Sequence, residues 1–207
     1  FIVVKDSNGD SDGITGSERV TLRRNIFLGW AGSVGHGFIQ VGEDGAGFFE
    51  ARELLIENNL MLHHSAATMN APIAVMGSAA ITFRNNTFVG DGPAQAWLRV
   101  YRYGANPLPT DVRFFNNIWA RPGGGQPRFS RSPQGQVGGF ALVRNLYWNG
   151  GQAIPSSASE VINLDDDPRA LVANPGLPAH SGLVPPTWDS ASARFADGST
   201  SIGAAFG

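Results

Sequence analysis

Cysteine is absent from the 207-residue chain, and with it go disulfides, thiolate metal sites and cysteine nucleophiles. Lysine is almost absent: Lys5 stands alone, and the remaining Lys/Arg positions are all arginine. The arginines are scattered among carboxylates and the formal net charge is −2. The clustered positive charge that phosphate backbones require is therefore missing, and no nucleic-acid partner is expected. No apolar run approaches the roughly 20 residues of a membrane-spanning helix, so no such span is expected. A signal-peptide pattern is also missing at Phe1, and the chain is expected to be a processed or excised piece. Long helix-forming stretches are scarce too. What fills the chain instead is turn chemistry, with 27 Gly, 13 Pro and many Asn and Ser, which favours numerous short strands in one domain.

Those strands repeat. "VTLRRNIF" (20–27), "LLIENNLM" (54–61), "ITFRNNTF" (81–88), "VRFFNNIW" (112–119) and "FALVRNLY" (140–147) align on Asn25, Asn59, Asn86, Asn117 and Asn145, at spacings of 34, 27, 31 and 28 residues. The residues five and three before each anchor are apolar: Val20 and Leu22, Leu54 and Ile56, Ile81 and Phe83, Val112 and Phe114, Phe140 and Leu142. Alternation puts each pair on one strand face, with Thr21, Arg23, Thr82, Arg84 and Arg113 on the other. Two residues after the anchors stand Phe27, Met61, Phe88, Trp119 and Tyr147. Further strand-like pieces lie between the copies: "GFIQVG" (37–42), "PIAVMG" (72–77) and "WLRVYRY" (97–103). A unit of about thirty residues with two or three strands and no helix suits one coil of a parallel β-helix, each strand pairing with its equivalent about 4.8 Å away. The five anchors are then expected to stack as a structural ladder of amides, each donating to one neighbour and accepting from the other. A leucine-rich repeat would need another Leu three residues earlier, where Ser17, Ala51, Ser78, Pro109 and Val137 stand.

The same lines resemble the right-handed parallel β-helix (pectin-lyase-like) superfamily of pectate lyases, polygalacturonases and alginate and chondroitin lyases, over residues 10 to 150. The resemblance implies an all-β fold, a right-handed parallel β-helix, and an extracellular or cell-surface protein of bacteria. "SDGI" (11–14) and "GHGFIQVG" (35–42) are similar to two polygalacturonase segments. The aspartate pair that stands between them in that family has no counterpart, so Asp12 lacks the second carboxylate that glycoside hydrolysis uses. Residues 70–104 are similar in layout to the lyases of polysaccharide lyase family 6, with Arg99 at the family's assisting arginine. Met76 occupies the position of its lysine base, and Ala71 and its neighbours stand where that family places calcium-binding acids. A thioether cannot act as a general base. The resemblance implies the architecture without the inherited catalytic residues.

Asp6, Asn8, Asp10 and Asp12 have the every-second-residue oxygen spacing of a calcium loop, but Ser11 takes the glycine place and Ser17 the closing place. The stretch reads as a polar turn leading into the first coil, with calcium the weaker alternative and no cofactor otherwise expected. His36, His63, His64 and His180 have no acidic partner repeating at a matching position, and read as turn or surface residues ahead of metal ligands or bases. In "LDDDPRALVANP" (164–175) the aspartates read as caps of a short turn or helix, with cation binding the alternative. In "WLRVYRY", inward Leu98 and Val100 leave Trp97, Arg99, Tyr101 and Tyr103 outward. Such a stripe suits sugar rings and uronate carboxylates, a subunit interface, or coverage by the chain's own tail.

The repeat stops near residue 150, which assigns 1–150 to the β-helix and 151–207 to an irregular extended segment packed on its flank. About five coils make a rod about 25 Å long. With no evident end caps, its strand edges are templates for head-to-tail stacking into a filament. These features point to a non-catalytic extracellular module that self-associates or binds a surface, its partner being itself or an extracellular polysaccharide. The alternative is a lyase or hydrolase acting on an acidic polysaccharide.

Overall fold

The repeats wind into a parallel β-helix of about four turns, seen in a computed structural model that describes residues 1–6, 12–177, 187–196 and 198–201. The first rung contains β1 (Ile2–Val4), β2 (Ser17–Glu18), β3 (Thr21–Arg23) and β4 (Ile26–Leu28). The second and third contain β5 (Ile39–Val41), β6 (Ala51–Glu57) and β7 (Leu60–Leu62), then β8 (Ile73–Val75), β9 (Ser78–Arg84) and β10 (Thr87–Val89). The fourth and fifth contain β11 (Leu98–Val100), β12 (Thr110–Phe115) and β13 (Ile118–Ala120), then β14 (Ser130–Arg131), β15 (Phe140–Val143) and β16 (Leu146–Trp148). A single turn of 3-10 helix, Leu164–Asp166, precedes β17 (Leu171–Val172). Three parallel sheets result, ordered β1-β5-β8-β11-β14, then β2 and β3 beside β6-β9-β12-β15, and β4-β7-β10-β13-β16-β17.

Register keeps like above like. Leu54, Ile81, Val112 and Phe140 pair in sequence across one sheet, as do Leu22, Ile56, Phe83, Phe114 and Leu142. Phe27, Met61, Phe88, Trp119 and Tyr147 form the matching row of the next sheet. Aromatic rings therefore stack face to face, Phe83 on Phe114 at 4.9 Å and Phe88 on Trp119 at 4.0 Å between centroids. Inward side chains of all three sheets merge into one core.

Each anchor follows a residue in left-handed backbone: Arg24, Asn58, Asn85, Asn116 and Arg144 all have φ between 53° and 59°. That conformation swings the chain from one sheet to the next, and Asn tolerates it best among residues with a Cβ. The anchor amides then form the expected ladder. The Nδ2 of Asn25, Asn59, Asn86 and Asn117 donates to the Oδ1 of the next anchor at 2.9, 2.9, 3.0 and 2.9 Å. The same Oδ1 accepts the backbone N–H of the preceding anchor. The second N–H of Asn59, Asn86, Asn117 and Asn145 reaches back to the carbonyls of Leu22, Ile56, Phe83 and Phe114. Each of the four buried anchors thus uses both N–H groups and the oxygen of its carboxamide.

Five anchors bound four intervals, which corrects the count of about five coils to about four turns. The ladder also has a C-terminal cap that the repeat pattern did not reveal. Asp167, 3% exposed, accepts the Asn145 backbone N–H at 3.0 Å and its Nδ2 at 2.8 Å, and the Arg144 N–H at 2.9 Å. A carboxylate only accepts, so it ends a chain of donors. Burial beside this carboxylate pushes the Tyr147 phenol up. The first compact unit accordingly runs Phe1–Gly176, past the boundary at residue 150, because Ile162 enters the core and β17 pairs with β16. The second unit, Leu177–Gly207, contains the antiparallel pair β18 (Trp188–Asp189) and β19 (Arg194–Phe195), with Trp188 edge-on to Phe195 at 5.0 Å.

Candidate functional site

Outward positions of the first sheet also fall in register: Gln40 on β5, Ala74 on β8, Arg99 on β11 and Arg131 on β14. Neighbouring strands lie about 4.8 Å apart, and the short Ala74, 2% exposed, stands between the longer side chains of Gln40 and Arg99. Arg99 crosses toward it, and its Nη1 donates to the Gly35 carbonyl at 3.0 Å. Its guanidinium carbon lies 4.5 Å from the centre of the Tyr101 ring. Arg131 Nη1 donates to Asn70 Oδ1 at 2.9 Å and Gln95 Oε1 at 3.0 Å.

Neutral oxygens thus hold both guanidiniums. Among the described residues the ion pairs are Lys5 with Asp44, Arg19 with Glu18, Arg84 with Glu57 and Arg113 with Asp111, and neither Arg99 nor Arg131 joins one. Arg99 is 6% exposed and its Nε is buried without a hydrogen-bond partner. Burial, with the nearby Arg131 charge, lowers the Arg99 pKa, although a guanidinium stays protonated throughout the working pH range. A buried cation with a second, half-buried cation beside it is stabilised by a nearby anion.

The rim is built by loops from two rungs. Glu50, wholly buried, accepts the backbone N–H groups of Asp44 at 2.7 Å and Gly45 at 3.0 Å, and Asn106 Nδ2. The Ala105 N–H donates to the Gly45 carbonyl at 3.0 Å, which binds the loop bearing Tyr103 to the same clamp. On the floor, His36 Nδ1 lies 3.1 Å from Gln40 Oε1, and Gln40 Nε2 donates to Glu43 Oε2.

The outward stripe divides on inspection. Arg99 and Tyr101 stay together through the contact of guanidinium and ring, Tyr101 half-buried, and Tyr103 is 41% exposed beside Gly45. Trp97 turns inward: it is 4% exposed, in the core, with its ring against Phe129 and Tyr147. It precedes β11 at a corner, where the alternation that orients Leu98, Arg99 and Val100 has not begun. Asp6 is buried and Asp12 exposed, the latter accepting the Ile14 N–H at 2.7 Å as a turn residue; Asn8, Asp10, Ser11 and His180 lie outside the described residues. Among the described residues, no three His, Asp or Glu side chains gather as a metal site. His63 is buried with Nε2 3.1 Å from the Pro93 carbonyl, and His64 is exposed. Asp166 Oδ2 accepts the Asn163 N–H at 2.7 Å across the 3-10 turn.

Gln40, Arg131 and Glu43 are not among the residues the sequence singles out, and His36, expected as a turn or surface residue, is exposed. The signal was present: "FIQV", "PIAV" and "WLRV" superimpose with Gln40, Ala74 and Arg99 at one outward position. Arg131 had no strand pattern around it. Compared with protein-family models, with curated proteins and with solved structures, the chain matches none significantly. Fold and ladder together define a β-solenoid of the parallel β-helix class.

Proposed function

We propose that this chain binds an acidic polysaccharide at the Arg99–Arg131 pair, as an extracellular β-helix module of the pectin-lyase-like kind. The observation that carries this is the pair of neighbouring guanidiniums, Arg99 buried and Arg131 beside it, held by neutral oxygens with no carboxylate partner among the described residues. A glycan carboxylate supplies the missing charge bidentately, and the exposed Tyr103 ring offers a platform to a sugar face. Head-to-tail stacking is the weaker reading, because Asp167 already occupies the acceptor position at the C-terminal end of the ladder.

Titration calorimetry with polygalacturonate, and with neutral dextran as control, tests the proposal. Polygalacturonate binds and dextran does not. Arg131→Ala weakens binding about 10-fold or more, the loss of a charge-assisted hydrogen bond, while circular dichroism remains that of the parent. Equal binding of both polymers, or no effect of Arg131→Ala, overturns the assignment.

A further inference from the structure

A groove of about 400 Å³ lies on the outer face of a different sheet, over β9. Its floor carries short side chains, Ala80 and Thr82, and its walls longer ones, Glu53 and Leu55 on β6 and Asp111 and Arg113 on β12. A repeated backbone step shapes the acidic end. Arg52, Ala79 and Thr110 pair in one row and Leu54, Ile81 and Val112 in another, while Glu53, Ala80 and Asp111 lie between them and are left out of the pairing. All three have left-handed backbone, at φ 58°, 58° and 53°, which residues with a Cβ adopt rarely. The step interrupts plain alternation: Arg52 and Glu53 are both exposed, and Leu54 is buried. With strands about 4.8 Å apart, the backbones of Glu53 and Asp111 stand about 10 Å apart, with the small Ala80 midway.

Charge decides what fits. Asp111 accepts Arg113 Nε at 2.5 Å and Nη2 at 3.0 Å, and Glu57 accepts Arg84 Nε at 2.7 Å, so those charges cancel in pairs. Arg19, on the rung before Glu53, pairs with Glu18. Among the described residues Glu53 joins no ion pair, which leaves the groove one uncompensated negative charge. A bare metal ion does not suit it, because no three His, Asp or Glu side chains gather among the described residues, and Leu55, Ala80 and Phe115 give the lining no side-chain oxygen. Those three side chains suit an apolar body instead.

We infer that this groove binds a small organic cation, a primary ammonium carried on an aromatic or aliphatic body. The ammonium sits over Ala80 and donates to the Glu53 carboxylate. Each carboxylate oxygen accepts twice, so Asp111 keeps Arg113 and still faces the ammonium from the other wall. The body lies along Thr82, between Leu55 and Phe115. The site is separate from the arginine pair and opposite to it in sign.

Titration calorimetry on the whole chain tests this with three probes of one shape and different charge: tryptamine, a cation; tryptophol, neutral; and indole-3-propionate, an anion. Tryptamine is expected to bind, and the other two at least about 10-fold more weakly, the effect of a charge-assisted hydrogen bond. Tryptamine affinity falls as sodium chloride rises from about 0.05 to 0.5 M. Glu53→Gln lowers tryptamine affinity to that of tryptophol, and Thr82→Phe, which fills the floor, lowers it by about 10-fold or more. Circular dichroism and urea unfolding check that both variants fold; should Thr82→Phe unfold early, the charge series and Glu53→Gln decide alone. Equal binding of tryptamine and tryptophol, no binding of tryptamine, or tryptamine affinity unmoved by Glu53→Gln overturns the inference.

Discussion

Replacing Asn86 by Ala tests the ladder at its centre. Asn86 Oδ1 accepts the Asn59 N–H at 3.1 Å and the Asn59 Nδ2 at 2.9 Å, and its own Nδ2 donates to the Ile56 carbonyl and to Asn117 Oδ1 at 3.0 Å each. Alanine removes all four bonds in a wholly buried site. At about 1 kcal/mol net per bond the loss is about 4 kcal/mol, and stranded buried donors push it upward. With a urea dependence of about 2 kcal/mol per molar, the unfolding midpoint falls by about 2 M. Asn25 opens the ladder, is only half-buried, and its side chain makes a single bond along it, to Asn59. Asn25→Ala therefore shifts the midpoint by about 0.5 M. Asn86→Asp keeps both acceptor roles but turns carboxylate oxygens toward the Ile56 carbonyl and Asn117 Oδ1, so it is at least as damaging as Ala. Urea unfolding followed by circular dichroism and by tryptophan fluorescence measures all three. Equal shifts for Asn25→Ala and Asn86→Ala, or tolerance of Asn86→Asp, refute the ladder as a chain of directional bonds.

His63 supplies a pH dependence. Burial is the main cause that holds its pKa below 6.5, with the His64 and Arg121 charges adding and the Pro93 carbonyl opposing. The unfolded chain takes up this proton as pH falls through 6.5 while the folded chain resists, so stability is whole above that pH and declines below it. His63→Gln is expected to flatten that decline in urea titrations across the window, and an unchanged slope disproves the coupling. Arg144, exposed at φ 59°, holds the corner position that Asn58, Asn85 and Asn116 hold in other copies. Arg144→Asn is expected to raise stability by about 0.5–1 kcal/mol, read as a higher unfolding midpoint; a lower midpoint contradicts the account of the corner.

The fold was legible because its determinants are local and repeated. An apolar pair, a left-handed corner residue and an amide recur in every copy, and stacking makes each copy a constraint on the next. Asn59, Asn86 and Asn117 fall where their spacing puts them. Asp167 was illegible for the opposite reason: it reaches the ladder from the segment after the last repeat, substituting a carboxylate where the next anchor position, Ala170, has no amide. Trp97 was misplaced because alternation holds inside β11 and fails at the corner before it. The arginine site was half legible. Arg99 and Tyr101 stand in a strand with a clear phase, whereas Arg131 follows a turn-rich stretch, and the tie between His36 and Gln40 runs from a loop to a strand.

The ladder's polarity bears on where function sits. Every anchor donates toward the C-terminal end, and each after Asn25 accepts from the one before it, so the last rung needs an acceptor and Asp167 provides one. A further rung added there would have to displace a buried carboxylate that accepts three hydrogen bonds shorter than about 3 Å, each worth roughly 1.5–3 kcal/mol when charge-assisted. The side of the helix carries the opposite condition. Arg99 retains an unpartnered buried Nε beside a second cation, one strand from Ala74. The ladder's end is satisfied from within the chain, whereas Arg99 Nε on the side of the helix is not.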